Sequence, residues 1–354
     1  MRWQAGLFLF SQQYDQNAVN TYSPFVLSPQ FAFAVLETSP AASLDDNGVG
    51  LYGRGTVTMG RVDVAVGARL DHENKDASIR SFFTPLLAPP TSVVADRSFT
   101  NVSPQASVAY RLATDRMVYV SVSSGYKAGG FNAASPAGAE AYGEEHTVQV
   151  EAGLKSILAG GRLLANAAAF SIDWSDLQLN LPNPEVPAQF YIANVGNAHS
   201  RGAELELTAK ASKQLDVFGV LGYTHARFGT GSRSSGLNVA GRTLPSTPDV
   251  TGSIGAQFHQ KVTARTQVHV RGDVAFVGKY LYDDANTTSQ PAYSLATFRG
   301  GVTHGALSVE AWIRNAFDTR YIPVAFAYPG LAPSGFVAEM GAPRTFGVTL
   351  GARF

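Results

Sequence analysis

Four residues in one short stretch have the chemistry to recognise a ligand: Tyr126, Lys127, Phe131 and Asn132. Aromatic rings stack on flat ligands, an ammonium attracts anions, and an amide both donates and accepts hydrogen bonds. Gly129 and Gly130 lie between them and predict a backbone that other residues do not adopt. The stretch therefore reads as an aromatic and cationic lip for an anionic or aromatic ligand, or more plainly as a strand end with a glycine turn. Tyr280, Tyr282, Asp283 and Asp284 form a second group. Their carboxylates suit a hard cation, and adjacent aspartates equally suit a solvated loop. Tyr321, Phe326 and Tyr328 form a third, able to stack on a ligand or to act as a lid. Tyr282 and Tyr328 join the first four as the predicted ligand-binding residues.

Catalysis finds no such support. His199, Ser200 and His225 invite a hydrolase reading, but no nucleophile elbow or paired base accompanies them. The seven histidines show no metal-ligand spacing, and Gly160-Gly161 and Gly300-Gly301 sit in no phosphate-loop context. The reading is of a protein that is not an enzyme, with no catalytic residues, no cofactor and no metal site.

The elements that must position these residues are long alternating segments. At the end of the chain, Phe346, Val348, Leu350, Ala352 and Phe354 share one parity, and Thr345, Gly347, Thr349, Gly351 and Arg353 share the other. Side chains in a strand alternate between faces, so one face is apolar and the other small or polar. The same pattern recurs in Val268, Val270, Val274 and Phe276 against Gln267, His269, Arg271 and Asp273. Ala203, Leu205, Leu207 and Ala209 likewise oppose Glu204, Glu206, Thr208 and Lys210. A row of mixed charges on one side of many strands suits a wet lumen, whereas a sandwich core would bury it at great cost.

About fourteen strands are predicted, joined alternately by short turns and long loops. The strands are Trp3 to Tyr14, Gly48 to Met59, Arg61 to Lys75, Val102 to Ala113, Met117 to Tyr126, Glu145 to Leu158 and Arg162 to Leu181. They continue with Phe190 to Ala211, Leu215 to Phe228, Val250 to Gln260, Thr263 to Tyr282, Tyr293 to Thr303, Leu307 to Asp318 and Ala342 to Phe354. Asp15 to Asn47 is read as a long Pro- and Ser-containing connection with short strand pieces near Phe31 to Leu36, and Asp76 to Phe99 as a long polar loop. The turn asymmetry predicts an all-β, antiparallel transmembrane barrel, with short turns on the periplasmic side and long loops on the external side.

Composition agrees. The chain is 45% hydrophobic, yet no stretch approaches the roughly 18 consecutive apolar residues of a transmembrane helix. A formal net charge of zero and the lack of any Lys/Arg run argue against nucleic acid. There is no cysteine, hence no disulfide framework. The sequence following Met1 shows no secretion signal, so it is expected to be a trimmed chain or a fragment.

Several blocks resemble the β-barrel of TonB-dependent outer-membrane receptors of the siderophore type. They are Tyr52-Gly-Arg-Gly with Val66-Gly-Ala-Arg69, Ser124-Gly-Tyr-Lys-Ala-Gly-Gly-Phe-Asn132, the block from Glu144 to Lys155, and the block from Asn194 to Glu206. The most specific pair is Arg314-Asn-Ala-Phe-Asp-Thr-Arg-Tyr321 and the closing block from Gly341 to Phe354. The resemblance covers residues 1–354 as one barrel domain. It implies residence in the outer-membrane lipid, a ferric siderophore or similar scarce nutrient as ligand, and uptake energised by the TonB complex. It also implies that the barrel-assembly machinery reads Phe346, Val348, Leu350 and Phe354. Barrels of this type have 22 strands and a plugged lumen. The chain is thus expected to be a C-terminal part with no plug, and the TonB complex would act only through the missing region. Two other readings stand beside it: a passive outer-membrane channel and a non-functional gene fragment.

Overall fold

The computed structural model describes residues 1–87, 89–183, 189–328 and 335–353. Fourteen long strands form one antiparallel sheet in chain order, each paired with its neighbours in sequence. They are β1 (Arg2–Tyr22), β2 (Val35–Met59), β3 (Val62–Thr84), β4 (Thr91–Ala113), β5 (Arg116–Lys127), β6 (Glu145–Leu158) and β7 (Leu163–Ser175). The series continues with β8 (Ala198–Lys210), β9 (Leu215–Phe228), β10 (Val250–Lys261), β11 (Thr266–Val277), β12 (Tyr293–His304), β13 (Leu307–Arg314) and β14 (Thr345–Ala352). β1 and β14 are the two ends of the sheet, and among the described residues no ladder joins them.

Register carries the alternation from strand to strand. Leu221, Leu205, Ala167, Leu154, Val118, Tyr110, Val62 and Met59 lie side by side from β9 to β2. Val348, Ala311, Gly300, Val270, Phe258 and Leu215 continue the apolar face from β14 to β9. These side chains are not sequestered: Leu221 is 53% exposed, Val270 59% and Val348 64%. An uncovered apolar face of this extent has no place in water, whereas hydrocarbon covers it at no cost.

The other face is polar. Trp312, Arg299, Arg271, Gln257, Asp216 and Lys210 form one row from β13 to β8. Its charges are matched locally. Arg271 is salt-bridged to Asp273 at 2.6 Å and lies over the Phe218 ring, and His269 Nε2 is 2.8 Å from Glu310. No helix among the described residues is long and apolar enough to cross a membrane.

The connections divide by end. Residues 60–61, 114–115, 159–162, 211–214, 262–265 and 305–306 are turns at one end. Gly60 adopts φ 58° and Gly305 φ 60°, a left-handed backbone that glycine takes without steric cost. The connections at the other end run over 23–34, 85–90, 128–144, 176–197, 229–249, 278–292 and 315–344.

Two predicted loops are largely strand. Residues 15–22, 35–47, 76–84 and 91–99 belong to β1–β4, whose lengths are 21, 25, 23 and 23 residues. Spanning takes only about 9–11 tilted residues, so these strands run well beyond the bilayer. There one face turns to water, the other is covered in part by the loops, as at Ala42, Ala77 and Ile79, and the backbone ladder persists. β5 follows β4 only as far as Gln105, so residues 91–104 of β4 are laddered on one side alone. Pro104 stands at that boundary, as suits a residue with no N–H to offer a neighbour.

Three predicted strands are broken instead. Arg162 to Leu181 is interrupted at Asp176, with φ 55°, and Phe190 to Ala211 at Gly196, with φ 109°. Thr263 to Tyr282 divides into β11 and a separate ribbon that starts at Tyr280.

Candidate ligand-binding site

The long-connection end owes its shape to the β1–β4 extensions. Loop 128–144 carries a short ribbon, Gly130–Phe131 against Ala141–Tyr142. Phe131 packs on Ala42, Ala77 and Ile79, which are buried between β2 and β3. Loop 176–197 carries a longer ribbon, Gln178–Pro182 against Phe190–Asn194. Its core of Leu177, Leu181, Tyr191 and Val195 is completed by Phe228 at the end of β9 and Val239 from the β9–β10 connection. One buried apolar cluster of the described chain thus lies in the loops, and the other on the β2 and β3 extensions beneath loop 128–144.

Amide side chains join these loops. Asn132 is 6% exposed, and its amide donates to the carbonyls of Ala139 and Ile192 at 2.9 and 2.8 Å. Its oxygen accepts from Ile192 N at 2.8 Å, so one side chain joins both loops. Asn194 reciprocates, accepting from Gly143 N at 2.7 Å and donating to the Asp176 carbonyl at 2.7 Å. Gln178 donates to the carbonyls of Ala128 and Gly143. Glu37 of β2 is 1% exposed and accepts from Tyr22 Oη at 2.7 Å, Asn20 Nδ2 at 3.3 Å and Gln189 Nε2 at 2.7 Å. A buried carboxylate is tolerable when donors surround it in this way.

Gly129 and Gly130 act through space rather than through unusual backbone, since neither has a positive φ. This corrects the expectation from sequence. A Cβ at Gly129 would lie 2.7 Å from the buried Phe99 ring and would collide with the Tyr142 carbonyl.

Two cavities flank the Phe131–Asn132 segment. The larger, about 300 Å³, is lined by Ile79, Phe83, Asn132, Ser135, Glu140 and Gln189, among others. The second, about 180 Å³, is lined by Tyr14, Asp45, Asp46, Lys75, Phe131 and Tyr142, among others. Lys75 Nζ is 2.9 Å from Asp46 and 3.4 Å from Glu73. Burial pushes the Tyr142 phenol up, and the Lys75 ammonium partly offsets that.

Of the residues expected from sequence to meet ligand, Phe131 and Asn132 line these cavities. Lys127 is exposed at the end of β5 and lines neither. Tyr126 packs 5.6 Å from the His146 ring, with its hydroxyl buried and lacking a hydrogen-bond partner. Tyr282 belongs elsewhere, donating to the Ile322 carbonyl at 2.8 Å beside Tyr280. Tyr328 comes near Tyr22, and its neighbour Phe326 packs edge-on against Phe190 at 5.9 Å. Asp283 spends its carboxylate on Thr287 and Thr288 of its own turn. Among the described residues no group of three or more His, Asp or Glu is placed to hold a metal ion. Glu37, Gln178, Gln189 and Asn194 escape sequence reasoning because their partners are distant in the chain.

Phe346, Val348 and Leu350 stand exposed on edge strand β14, while Phe354 lies outside the described residues. Asn315 donates to the carbonyls of Thr319 and Ala342, and Asp318 accepts from Arg344 N at 2.9 Å. Tyr321 stacks on Tyr293 at 4.6 Å. The Asn-x-x-Asp-x-x-Tyr block thus shapes the strand ends around β13 and β14.

Comparison with known proteins gives a consistent picture. A family model described as TonB dependent receptor-like, beta-barrel, matches residues 2–316. The ferrioxamine receptor of Yersinia enterocolitica is 28% identical over 213 residues, covering 58% of this chain and 27% of that protein. The pesticin receptor of Yersinia pestis is 26% identical over 296 residues, covering 81% of this chain and 41% of that protein. Thus the chain spans less than half the length of these relatives. Among solved structures, the ferric yersiniabactin uptake receptor FyuA from Yersinia pestis aligns with a TM-score of 0.78 at 22% identity, over 90% of this chain and 47% of that one. The ferric-catecholate import receptor Fiu from Escherichia coli K12, in its closed form, aligns with a TM-score of 0.73 at 20% identity, over 99% of this chain and 52% of that one.

Proposed function

The chain belongs to the TonB-dependent receptor β-barrel family, a family of transport receptors rather than enzymes, and from that premise we propose that it serves energised uptake of a ferric siderophore across the outer membrane. The observation that carries the reading is the pair of cavities at the long-connection end of a barrel wall with one apolar and one polar face. A wall of that kind sits in lipid with its long connections outside the cell. The name of one relative, the ferrioxamine receptor, favours an iron chelate. Phe131 and Asn132 are the first ligand-facing residues in this reading; Tyr126, Lys127, Tyr282 and Tyr328 line neither cavity and would be further contacts at the same end. Contact with the TonB complex would belong to parts of the receptor ahead of the barrel. The row Phe346, Val348 and Leu350, with Phe354, would be read by the barrel-assembly machinery.

Radio-iron uptake tests the proposal. Iron-starved cells carrying the full-length gene should accumulate label from a ferric siderophore, and an uncoupler of the inner-membrane proton gradient should abolish it. Uptake that survives the uncoupler would contradict energised transport.

A further inference from the structure

No Lys/Arg run stands in the sequence, yet the fold lines cations up at one end. Every turn of the short-connection end has an exposed cation in it or beside it: Arg61, Arg116, Arg162, Lys213, Arg265 and Arg353. Each turn also accepts a backbone hydrogen bond from the chain next to it in the sheet. Arg111 N donates to the Arg61 carbonyl at 2.8 Å, and Arg353 N to the Ala306 carbonyl at 2.9 Å. The turns therefore form one continuous rim, and neighbouring turns, two strands apart, stand about 10 Å from each other.

The charge of this rim is unmatched. Among the described residues, Asp115 is the one carboxylate in the six turns, and it lies 3.5 Å from Arg116. Arg61, Arg162, Lys213, Arg265 and Arg353 make no ion pair there. Carboxylates higher on the polar face are engaged locally: Asp63 with Arg111, and Glu310 with His269. The opposite end has the reverse sign on its outward face, where Asp45, Asp76 and Asp96 stand side by side on β2, β3 and β4. Exposed Met59, Leu112 and Leu307 lie next to the rim and belong to the apolar face of the wall. With that face in hydrocarbon, the cations lie at the depth of the lipid headgroups, where long basic side chains reach phosphate. They are spread along the whole border of the apolar face, as a lipid surface requires, and are not gathered into a patch that one protein partner would cover.

We propose, building on the reading of the wall as lipid-embedded, that this basic rim binds the headgroups of anionic phospholipids in the leaflet on the turn side, and so fixes the depth and direction of the barrel.

The test uses the full-length receptor reconstituted in phosphatidylcholine vesicles that carry a trace of spin-labelled lipid, either phosphatidylglycerol or phosphatidylcholine. Electron spin resonance reads the fraction of label slowed at the protein surface. The phosphatidylglycerol label should be favoured by about threefold or more at low salt. Salt at about 1 M should remove the preference, because screening then acts within about 3 Å. A variant with Arg116→Gln, Lys213→Gln and Arg265→Gln should lose most of it. A charge-matched variant at the other end, with Arg80→Gln, Arg97→Gln and Arg233→Gln, should keep it. Circular dichroism of both variants should match the parent, and the salt series tests the parent without any substitution. Equal association of the two labels, a preference that survives salt, or a loss shared equally by both variants would overturn the inference while leaving a lipid-embedded barrel intact. No slowed component from either label would overturn the membrane reading and this inference with it.

Discussion

Gln189 and Glu37 stand 152 residues apart in sequence, and the amide of one donates to the carboxylate of the other at 2.7 Å. The contact fastens the β7–β8 connection to the β1–β2 hairpin. Glu37→Ala removes the acceptor for Tyr22, Asn20 and Gln189 together, leaving the part-buried Tyr22 and Gln189 donors unpaired at about 1 kcal/mol. The cost should fall locally. Hydrogen exchange at residues 190–194 should speed up, while exchange in β9 and β10 stays as it was.

Asn132 joins two loops through a single side chain. Asn132→Asp retains the shape but loses both donors, and it sets a carboxylate against the carbonyls of Ala139 and Ile192. Binding of a ferric chelate should weaken by about tenfold, with barrel assembly unaffected. Titration of the variant in detergent checks this, beside a heat-modifiability gel as the assembly control.

Gly129 is defined by the space it leaves. A Cβ there would press on Phe99, which is 7% exposed, and on the Tyr142 carbonyl. Gly129→Ala should cost about 1–3 kcal/mol through overpacking. Thermal unfolding should show a lower midpoint, and Gly55→Ala, with open space around its Cβ position, should not lower it in the same way.

The two faces of β5 should answer differently to charge. Val120 is 54% exposed on the apolar face, in register with Val108 and Ala152. Ser121 lies on the polar face beside Ser107 and Glu151. An arginine at the first position costs about 2–4 kcal/mol at mid-bilayer, whereas at the second it meets water and a carboxylate. Folding yield into lipid vesicles should drop for Val120→Arg and hold for Ser121→Arg.

Tyr22 provides a pH signature. Burial, and then its hydrogen bond to Glu37, raises its phenol pKa above the ordinary value. Folding therefore favours the protonated phenol. That stabilisation is whole below about pH 10, the unfolded value, and is lost as pH rises through the folded value. Absorbance titration at alkaline pH should show a late tyrosine that Tyr22→Phe removes. A variant curve that matches the parent would contradict the assignment.

Much of the wall was legible because lipid on one face and water on the other impose a period of two. Glu145–Leu158 and Leu215–Phe228 could be read from sequence to the residue. The upper parts of β1–β4 could not, since Asp76 and Asp96 share a face that meets water while a distant loop covers Ala42, Ala77 and Ile79, and the ladder is held by the backbone. The breaks at Asp176 and Gly196 were hidden within alternation that continues through them. Tyr126, Phe131 and Asn132 stood out by residue type, but type cannot show that the Asn132 amide is spent on two carbonyls. Glu37 and Gln189 look like ordinary polar residues until the fold brings them together.

We propose above that this chain belongs to an outer-membrane receptor for a ferric chelate. The most direct test is saturable binding of a radio-iron siderophore to outer membranes that carry the protein, with matched membranes lacking it as the control. The account predicts that the protein sediments with the outer membrane and that binding saturates in proportion to its amount. A protein recovered soluble without detergent, or membranes that bind no ferric chelate above the control, would contradict it.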